Sequence, residues 1–597
     1  MYEPKMSTGG LALACGPLSA FLQDGDLFDV RWHGVEVAQR IYVAVRDESW
    51  NTIPAAITDL RLRRTSSQAV AEFDAQHRHG DIDFSWHGSI RLEESGLLVF
   101  QMRGRALSSF RYCKIGFNVH HGQRAHAGRT FRCRTEAGEY AGSFEADLQP
   151  QLVRDGTLTA MTPHYDQIEI DLDGALVRME FLGDRFEMQD HRNWIDANWK
   201  SYGTPLEFGF PMDLAAGAEL FQEVRLHVSG PGVAADFEAV NELSWAGTRA
   251  GNLPMIGHLI REQPDAGQLQ LLRELRPSHL RIDLHPGEDL DSRLADGQQL
   301  ANALGARLEV AVHLRVEEPT ADARAMAQAL ATVASSVVRI LVLAETQGFS
   351  AFRGACPPEL SDALIEAIGD RLSGVAIVSG TPQFFVDINR DRPDYARIDG
   401  IVFAANPQVH ACDSRSIMQN AQAIADVVHF ARRLYGKVDV VLSPVDLIGF
   451  GGPFPAGPQP IGDRPANEDS RQSQPFCAAW TLAALAAMTE AEVTATTLFE
   501  LVGPRGLLDG AGAPFEVFRL LALIGAHRGV PVRLLRSTDP DRLVGLAFIA
   551  EGGLDLLVAN LTDEGVDCRL PDGASLRLGP YAVEHVRDAH EHGPPKR

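Results

Sequence analysis

Glu345 closes the run ILVLAE and Glu500 closes TTLFE, so each carboxylate ends a mainly apolar stretch. A carboxyl group at such a place is partly desolvated; it can hold a raised pKa and serve as general acid or base. Arg281 and Asp283 flank Ile282 in HLRIDL. Period 2 puts both on one strand face, opposite Leu280, Ile282 and Leu284, as an ion pair able to bind substrate. His313 in VAVHL suits substrate binding or proton transfer. Asn406 and His410 in NPQVHACD can fix hydroxyls or stabilise an oxyanion, while Asp413 suits the cap of a following helix. Asp387 and Asn389 (FFVDINR) are weaker candidates for the same pocket. Each group also has a plain structural reading: Glu345 paired with an arginine such as Arg281, Arg281–Asp283 as an internal ion pair, His313 as a satisfied core histidine.

The elements that must hold these groups follow a regular alternation. Short apolar runs fall at Leu253–Ile260, His279–Leu284, Leu308–Leu314, Val338–Glu345, Val375–Thr381, Ile401–Asn406, Val438–Ser443 and Val493–Glu500. Helical patterns lie between and after them, at Asp289–Leu304, Ala321–Ala334, Pro358–Leu372, Ser416–Tyr435, Arg471–Met488 and Phe515–Arg528. Eight buried strands alternating with helices predict a (β/α)8 TIM-like barrel, whose chemistry sits at the carboxyl ends of the strands. Those ends carry Arg281, Asp283, His313, Glu345, Asn406 and Glu500. The Gly/Pro-rich stretch Gly449–Pro465 after strand seven is either a lid over that face or a solvated insertion.

Residues 1–245 alternate with period 2 between turn signals such as Asp24-Gly25-Asp26, which predicts an N-terminal antiparallel β-sandwich. The barrel spans 246–530, a small C-terminal β domain 531–588, and a polar, disordered tail 589–597. Within the sandwich, Phe186–Tyr202 (FEMQDHRNWIDANWKSY) mixes aromatic faces with amides and charges, a composition suited to polyols or to a long sealing loop. His120, His121 and His126 suggest a metal site only weakly and read better as surface residues.

A chain of 597 residues with 45% apolar and 22% charged residues is an ordinary multidomain globular protein. Its formal charge of −24 argues against nucleic acid and against an acidic membrane surface as partners. The seven cysteines are scattered, without zinc spacing, which favours reduced thiols in a cytoplasm. Leu11–Cys15 (LALAC) mimics a lipoprotein box, but no apolar segment precedes it. No run reaches the roughly 18–20 apolar residues of a membrane span.

GxSxG, HExxH, Walker and Rossmann motifs are absent, so serine-hydrolase, zincin, NTPase and dinucleotide chemistry lose their usual support. What is present, in order, is FEMQDHRNWIDANWKSYGTPL, HLRIDL, NPQVHACD, SRQ (Ser470–Gln472), CAAWTL (Cys477–Leu482) and LFELVGPRG. As a set these resemble the D-apionate lactonase family of bacterial apiose breakdown, over most of the chain. The resemblance implies hydrolysis of D-apionolactone to D-apionate. After Ser443-Pro444 the sequence VDLIGFGGPFPAG departs from the family's more regular pattern.

The reading is therefore a sugar-lactone hydrolase. Glu345 and Glu500 divide the general base and general acid roles, and Arg281, Asp283, His313, Asn406 and His410 bind substrate or oxyanion. No metal or other cofactor is required; if a metal were used, Asp283 with either glutamate would be its ligands. The expected partner is a small-molecule sugar lactone. The alternative is a (β/α)8 glycoside hydrolase acting on an apiose- or uronate-containing glycoside. Strand seven counts against it, since Leu442-Ser443 carries no Glu and Asp446 stands three residues beyond Ser443. A third reading, carbohydrate binding without turnover, has least support.

Overall fold

The computed structural model describes residues 10–154, 157–231, 241–247, 250–345, 354–449, 468–550 and 553–589. The chain divides into two compact units: residues 10–193 with 197–231, and residues 194–196 with the described part of 241–589.

The first unit is a two-sheet antiparallel sandwich. One sheet runs Leu11–Cys15, Leu18–Gln23, Asp26–Trp32, Val35–Asp47, Phe110–Gly122, Asn198–Tyr202, Glu187–Asp190, with Met212–Leu214 added onto Phe110–Gly122. The other has nine strands, from Gly138–Ser143 at one edge to Ala55–Arg64 at the other. Gln68–His79 and Ile82–Glu93 alternate buried with more open positions along their length. Phe73, Ile90 and Phe100 therefore share one core with Ile41, Val43, Phe117 and Val119 of the facing sheet. Each such side chain contributes about 1.5–3 kcal/mol on burial. The predicted turn at Asp24-Gly25 is present, with φ of 50° and 86°, the left-handed pair a tight hairpin demands.

Two expectations in this unit are corrected. His120, His121 and His126 are buried, not on the surface. Burial lowers all three pKa values, that of His126 to about 4. His121 Nε2 meets Ser201 Oγ at 2.7 Å and His126 Nδ1 meets Gly122 O at 3.0 Å, so one nitrogen of each of these two rings is satisfied. The 186–202 segment is not a loop but Glu187–Asp190, a 3-10 turn His191–Trp194 and Asn198–Tyr202, the two strands paired antiparallel. Its charges are internal: Arg192 Nη2 and Asp190 Oδ2 lie 2.7 Å apart, with both side chains fully buried.

The second unit contains the predicted barrel. Its strands are Met255–Leu259, His279–Leu284, Arg307–Leu314, Val337–Ala344, Ala376–Gly380, Gly400–Ala405, Asp439–Val445 and Ala495–Val502, hereafter strands one to eight. All neighbours pair in parallel, and Met255↔Ala495 closes strand one onto strand eight. The helices start as their sequences dictate: Asp265 forms a capping box with Gln268, Asp289 caps through Ser292 N, and Pro358 opens Pro358–Ile368. Ser416–Tyr435 is two helices, Ser414–Asn420 and Ala423–Tyr435. A tightened turn, Gln422 N to Gln419 O at 3.2 Å, separates them where Asn420 is anchored on Pro407 O. Asp387 and Asn389 lie inside a helix, Phe385–Asp391, rather than on a strand-end loop. Asp387 accepts from Thr381 Oγ1 at 3.0 Å, and Asn389 Oδ1 accepts from Arg392 at 3.0 Å.

The helix Pro475–Glu490 is apolar on every side, as a helix must be when it is enclosed. It packs against the C-terminal sheet strands Leu543–Ala550 and Gly553–Asn560. That sheet has seven strands and draws in Asn241–Trp245 from just before the barrel, beside Val532–Ser537 and Val566–Arg569. Among the described residues no helix is long and apolar enough to cross a membrane, and all seven cysteines are free thiols. Residues 450–465 of the Gly449–Pro465 stretch, and the tail from residue 590, lie outside the described residues.

Candidate active site

Strands two, three and four build the centre of the site, and period 2 explains how. His279, Arg281 and Asp283 alternate inward along strand two, and His285 continues the series one residue past its end. On strand three the inward series is Glu309, Ala311 and His313; on strand four it is Arg339, Leu341, Leu343, then Glu345. The register Leu284↔Val312 sets His285 beside His313. Their rings stack with centroids 4.1 Å apart and 19° between planes. His285 Nδ1 lies 2.8 Å from Glu345 Oε2, and His313 Nε2 lies 3.1 Å from Asp283 Oδ1. Because carboxylate oxygens accept, both imidazoles donate through these nitrogens, and in the neutral ring the other nitrogen is the acceptor. His285, His313 and Glu345 are also the residues here able to hold a metal ion, with ligand atoms mutually within 4.8 Å.

Arg281 and Asp283 are the predicted ion pair, 2.7 Å apart and buried. Burial works to raise the Asp283 carboxyl, but the Arg281 guanidinium and His313 outweigh it and hold its pKa well below the usual range. Asp283 Oδ2 has no hydrogen-bond partner among the described residues. Below this layer the barrel is not apolar throughout. Glu309, fully enclosed, accepts from Ser443 Oγ at 2.6 Å, Thr497 Oγ1 at 2.7 Å and Arg339 Nη1 at 2.7 Å. Arg281 Nη1 donates to Ser443 Oγ at 3.0 Å, which ties this network to the ion pair above. Burial opposes ionisation of Glu309, yet His279, Arg339 and the Ser443 hydroxyl bring its pKa down to about 2. Ala311, Leu341, Leu343, Val378, Val402, Val441 and Ala495 form an apolar cluster of the same barrel.

Glu500 sits on strand eight, its Oε1 held by Arg505 Nε at 3.1 Å. Arg505 also faces Asp446 Oδ2 at 3.1 Å and donates to Ile448 O at 3.0 Å. Burial raises the pKa of Glu500; Arg505 pulls it back and Asp446 pushes it up further. Burial raises Asp446 too, against the pull of Arg505, Arg261 and Arg281. Asp446 is closer to the strand than its distance from Ser443 suggests. Strand seven runs on through Pro444 to Val445, so Asp446 directly follows it instead of standing three residues out.

Asn406 and His410 are placed differently. Asn406 Oδ1 accepts from Gln408 N at 3.1 Å, shaping the turn after strand six. Gln408 bridges Leu447 O and Asp469 Oδ2, at 2.7 and 2.8 Å, and Asp469 pairs with Arg471 at 2.6 Å. His410 Nδ1 meets Asp196 Oδ2 at 2.6 Å, with the Trp194 ring edge-on at 5.3 Å. Asn420 Nδ2 donates to the other Asp196 oxygen at 3.1 Å. His410 is thus committed to the Trp194–Asp196 segment. Asp413 caps Ser414–Asn420 through Ser416 N, as its position suggested.

Three family models match in chain order. "D-apionate lactonase, N-terminal domain" covers residues 3–231, "D-apionate lactonase, TIM barrel domain" covers 260–529, and "D-apionate lactonase, C-terminal immunoglobulin-like domain" covers 540–586. A curated D-apionate lactonase of Brucella anthropi is 26% identical, with 96% of each chain aligned. Among solved structures, an endoxylanase from Clostridium papyrosolvens aligns at 10% identity over 57% of this chain and 98% of its own, with a TM-score of 0.40. A galactose 1-epimerase from Lactobacillus acidophilus aligns at 8% identity over 38% of this chain and 97% of its own, with a TM-score of 0.25. Both scores are too low to establish a common architecture. The three consecutive domain matches, with the full-length relative, establish that the chain belongs to the D-apionate lactonase family.

Proposed function

We propose that this enzyme, a lactone hydrolase by family, opens D-apionolactone to D-apionate at the carboxyl end of its barrel. The observation that carries the reading is a set of carboxylates in contrasting surroundings. Glu345 faces an imidazole at 2.8 Å, while burial raises Glu500 toward its protonated form. A carboxyl group raised by burial can give a proton to a leaving oxygen while a second carboxylate elsewhere on the lip takes one from water.

In this account Glu345, oriented by His285, takes a proton from water as its oxygen bonds to the lactone carbonyl carbon. The oxyanion that forms is met by Arg281 and Asn406. The ring C–O bond then breaks, and Glu500 protonates the departing ring oxygen to give the free hydroxyl. Asp283 and His313 hold substrate hydroxyls. At neutral pH the new carboxylic acid ionises, so turnover releases one proton and creates no reducing end. Proton release from D-apionolactone, against simple aldonolactones, tests the reading; a rate no faster than spontaneous hydrolysis on every lactone overturns it.

One observation favours a second reading. Glu345 after strand four and Asp446 after strand seven put carboxylates where a barrel glycosidase could use them. Release of a chromophore from an aryl apioside or uronide, with a new reducing end, would support that chemistry over lactone opening.

A further inference from the structure

The geometry points to a divalent transition-metal site of the Zn2+ class formed by His285, His313 and Glu345, with Asp283 behind it; this inference rests on the lactonase reading of the same lip. Two neutral imidazoles and one carboxylate are a common ligand set for a catalytic zinc, which takes three protein ligands and leaves one position open. The three ligand atoms lie within 4.8 Å of one another. Neighbouring ligands of a tetrahedral ion bound at about 2.1 Å stand about 3.4 Å apart, so side-chain rotation has to close the widest gap by at most about 1.4 Å. An ion would take the place of the 2.8 Å hydrogen bond between His285 Nδ1 and Glu345 Oε2, with the ring proton moved to Nε2.

The support behind the ligands is what a metal site requires. Asp283 Oδ1 takes the Nε2 proton of His313 at 3.1 Å, which leaves the Nδ1 lone pair unspent. That is the carboxylate–histidine arrangement that orients a metal-binding imidazole. Asp283 itself is 5% exposed, and its Oδ2 has no partner among the described residues, so an acceptor stands buried beside the cluster. Its charge is retained because Arg281 is held in place by both Asp283 and Ser443. Side-chain exposure rises outward, from 7% at Asp283 and 10% at His313 to 21% at Glu345 and 37% at His285. An ion held here would keep its open position toward the side from which substrate enters. There it would polarise the lactone carbonyl or acidify a bound water, and His313 with Asp283 would then hold the ion instead of substrate hydroxyls. Glu345 would bind through one carboxylate oxygen and keep the other for the water's proton.

The test uses the full chain stripped with chelator. Zn2+ is titrated calorimetrically and Co2+ by its visible absorption, with Mg2+ as an oxygen-preferring control. The expected result is one Zn2+ or Co2+ per chain, with little response to Mg2+. His285→Ala and His313→Ala should abolish binding, and Asp283→Asn should weaken it about 10–100-fold. His285 is the most open of the four, so its variant keeps the fold, which circular dichroism checks. Binding of Zn2+ and Co2+ no tighter than about 100 µM, or binding that His285→Ala leaves unchanged, overturns the site. Proton release from D-apionolactone is followed on the same samples. Lactone opening without metal binding sinks only the metal site, whereas tight binding without lactone opening sinks only the lactonase reading.

Discussion

His285 and Glu345 come from the ends of strands two and four and meet at 2.8 Å across the end of strand three, whose His313 stacks on His285. This contact brings three separate strand ends together in one corner. Glu500 lies on strand eight, its carboxylate held by Arg505.

Glu345→Gln and Glu500→Gln should each lower kcat by about 10²–10⁴-fold, the usual scale of a lost acid or base. KM should move much less, since both side chains remain nearly isosteric. Steady-state kinetics on D-apionolactone checks this; a variant within about threefold of wild type would remove that residue from the chemistry.

The pH profile carries a signed expectation. Glu500 works protonated, so kcat falls as pH rises through its pKa. Burial raises that pKa and Arg505 opposes the rise. Arg505→Met should therefore move the alkaline limb of kcat to higher pH. A shift to lower pH, or none, contradicts the assignment of Glu500 as the proton donor.

Glu309 makes a separate prediction about stability. Its pKa falls from an unfolded value near about 4.3 to about 2 in the folded barrel. A depressed carboxyl group stabilises the fold above its unfolded pKa, and that contribution is lost as pH falls toward the folded value. Glu309→Gln leaves Arg339 buried without its counter-ion, which should cost about 3–5 kcal/mol at pH 7. The variant should also lose part of the pH dependence of unfolding between those two values. Denaturant titrations at several pH values would show it, and a wild-type midpoint at neutral pH would contradict it.

The barrel itself was legible because enclosed parallel strands must be apolar, and all eight runs reappear as strands. The same rule concealed part of the site. Reading Leu308–Leu314 as one apolar run hides Glu309, although Glu309, Ala311 and His313 fall on one face by period 2. His285 lies just outside its run, yet HLRIDLH carries polar groups at 279, 281, 283 and 285, and that even spacing is the available signal. Pro444 suggests an early end to strand seven, which disguises the proximity of Asp446. The pairing of His410 with Asp196, 214 residues away in sequence, has no local signature.

That pairing yields a further expectation. His410→Ala should leave kcat/KM for the lactone within about threefold, because the imidazole is bound to Asp196. It should cost about 1–3 kcal/mol of stability, since a buried carboxylate loses a partner. Kinetics and denaturant unfolding on one preparation separate the two effects; a large loss of kcat/KM with unchanged stability would return His410 to the site.

The most direct test of the account is proton release at pH 7 when purified enzyme meets D-apionolactone, with wild type and Glu345→Gln compared side by side. The account predicts rapid, selective release by wild type, one proton per lactone, and a loss of two orders of magnitude or more in the variant, at the lower edge of about 10²–10⁴. No release above the spontaneous rate, or equal rates in the two proteins, would contradict lactone opening at this barrel lip.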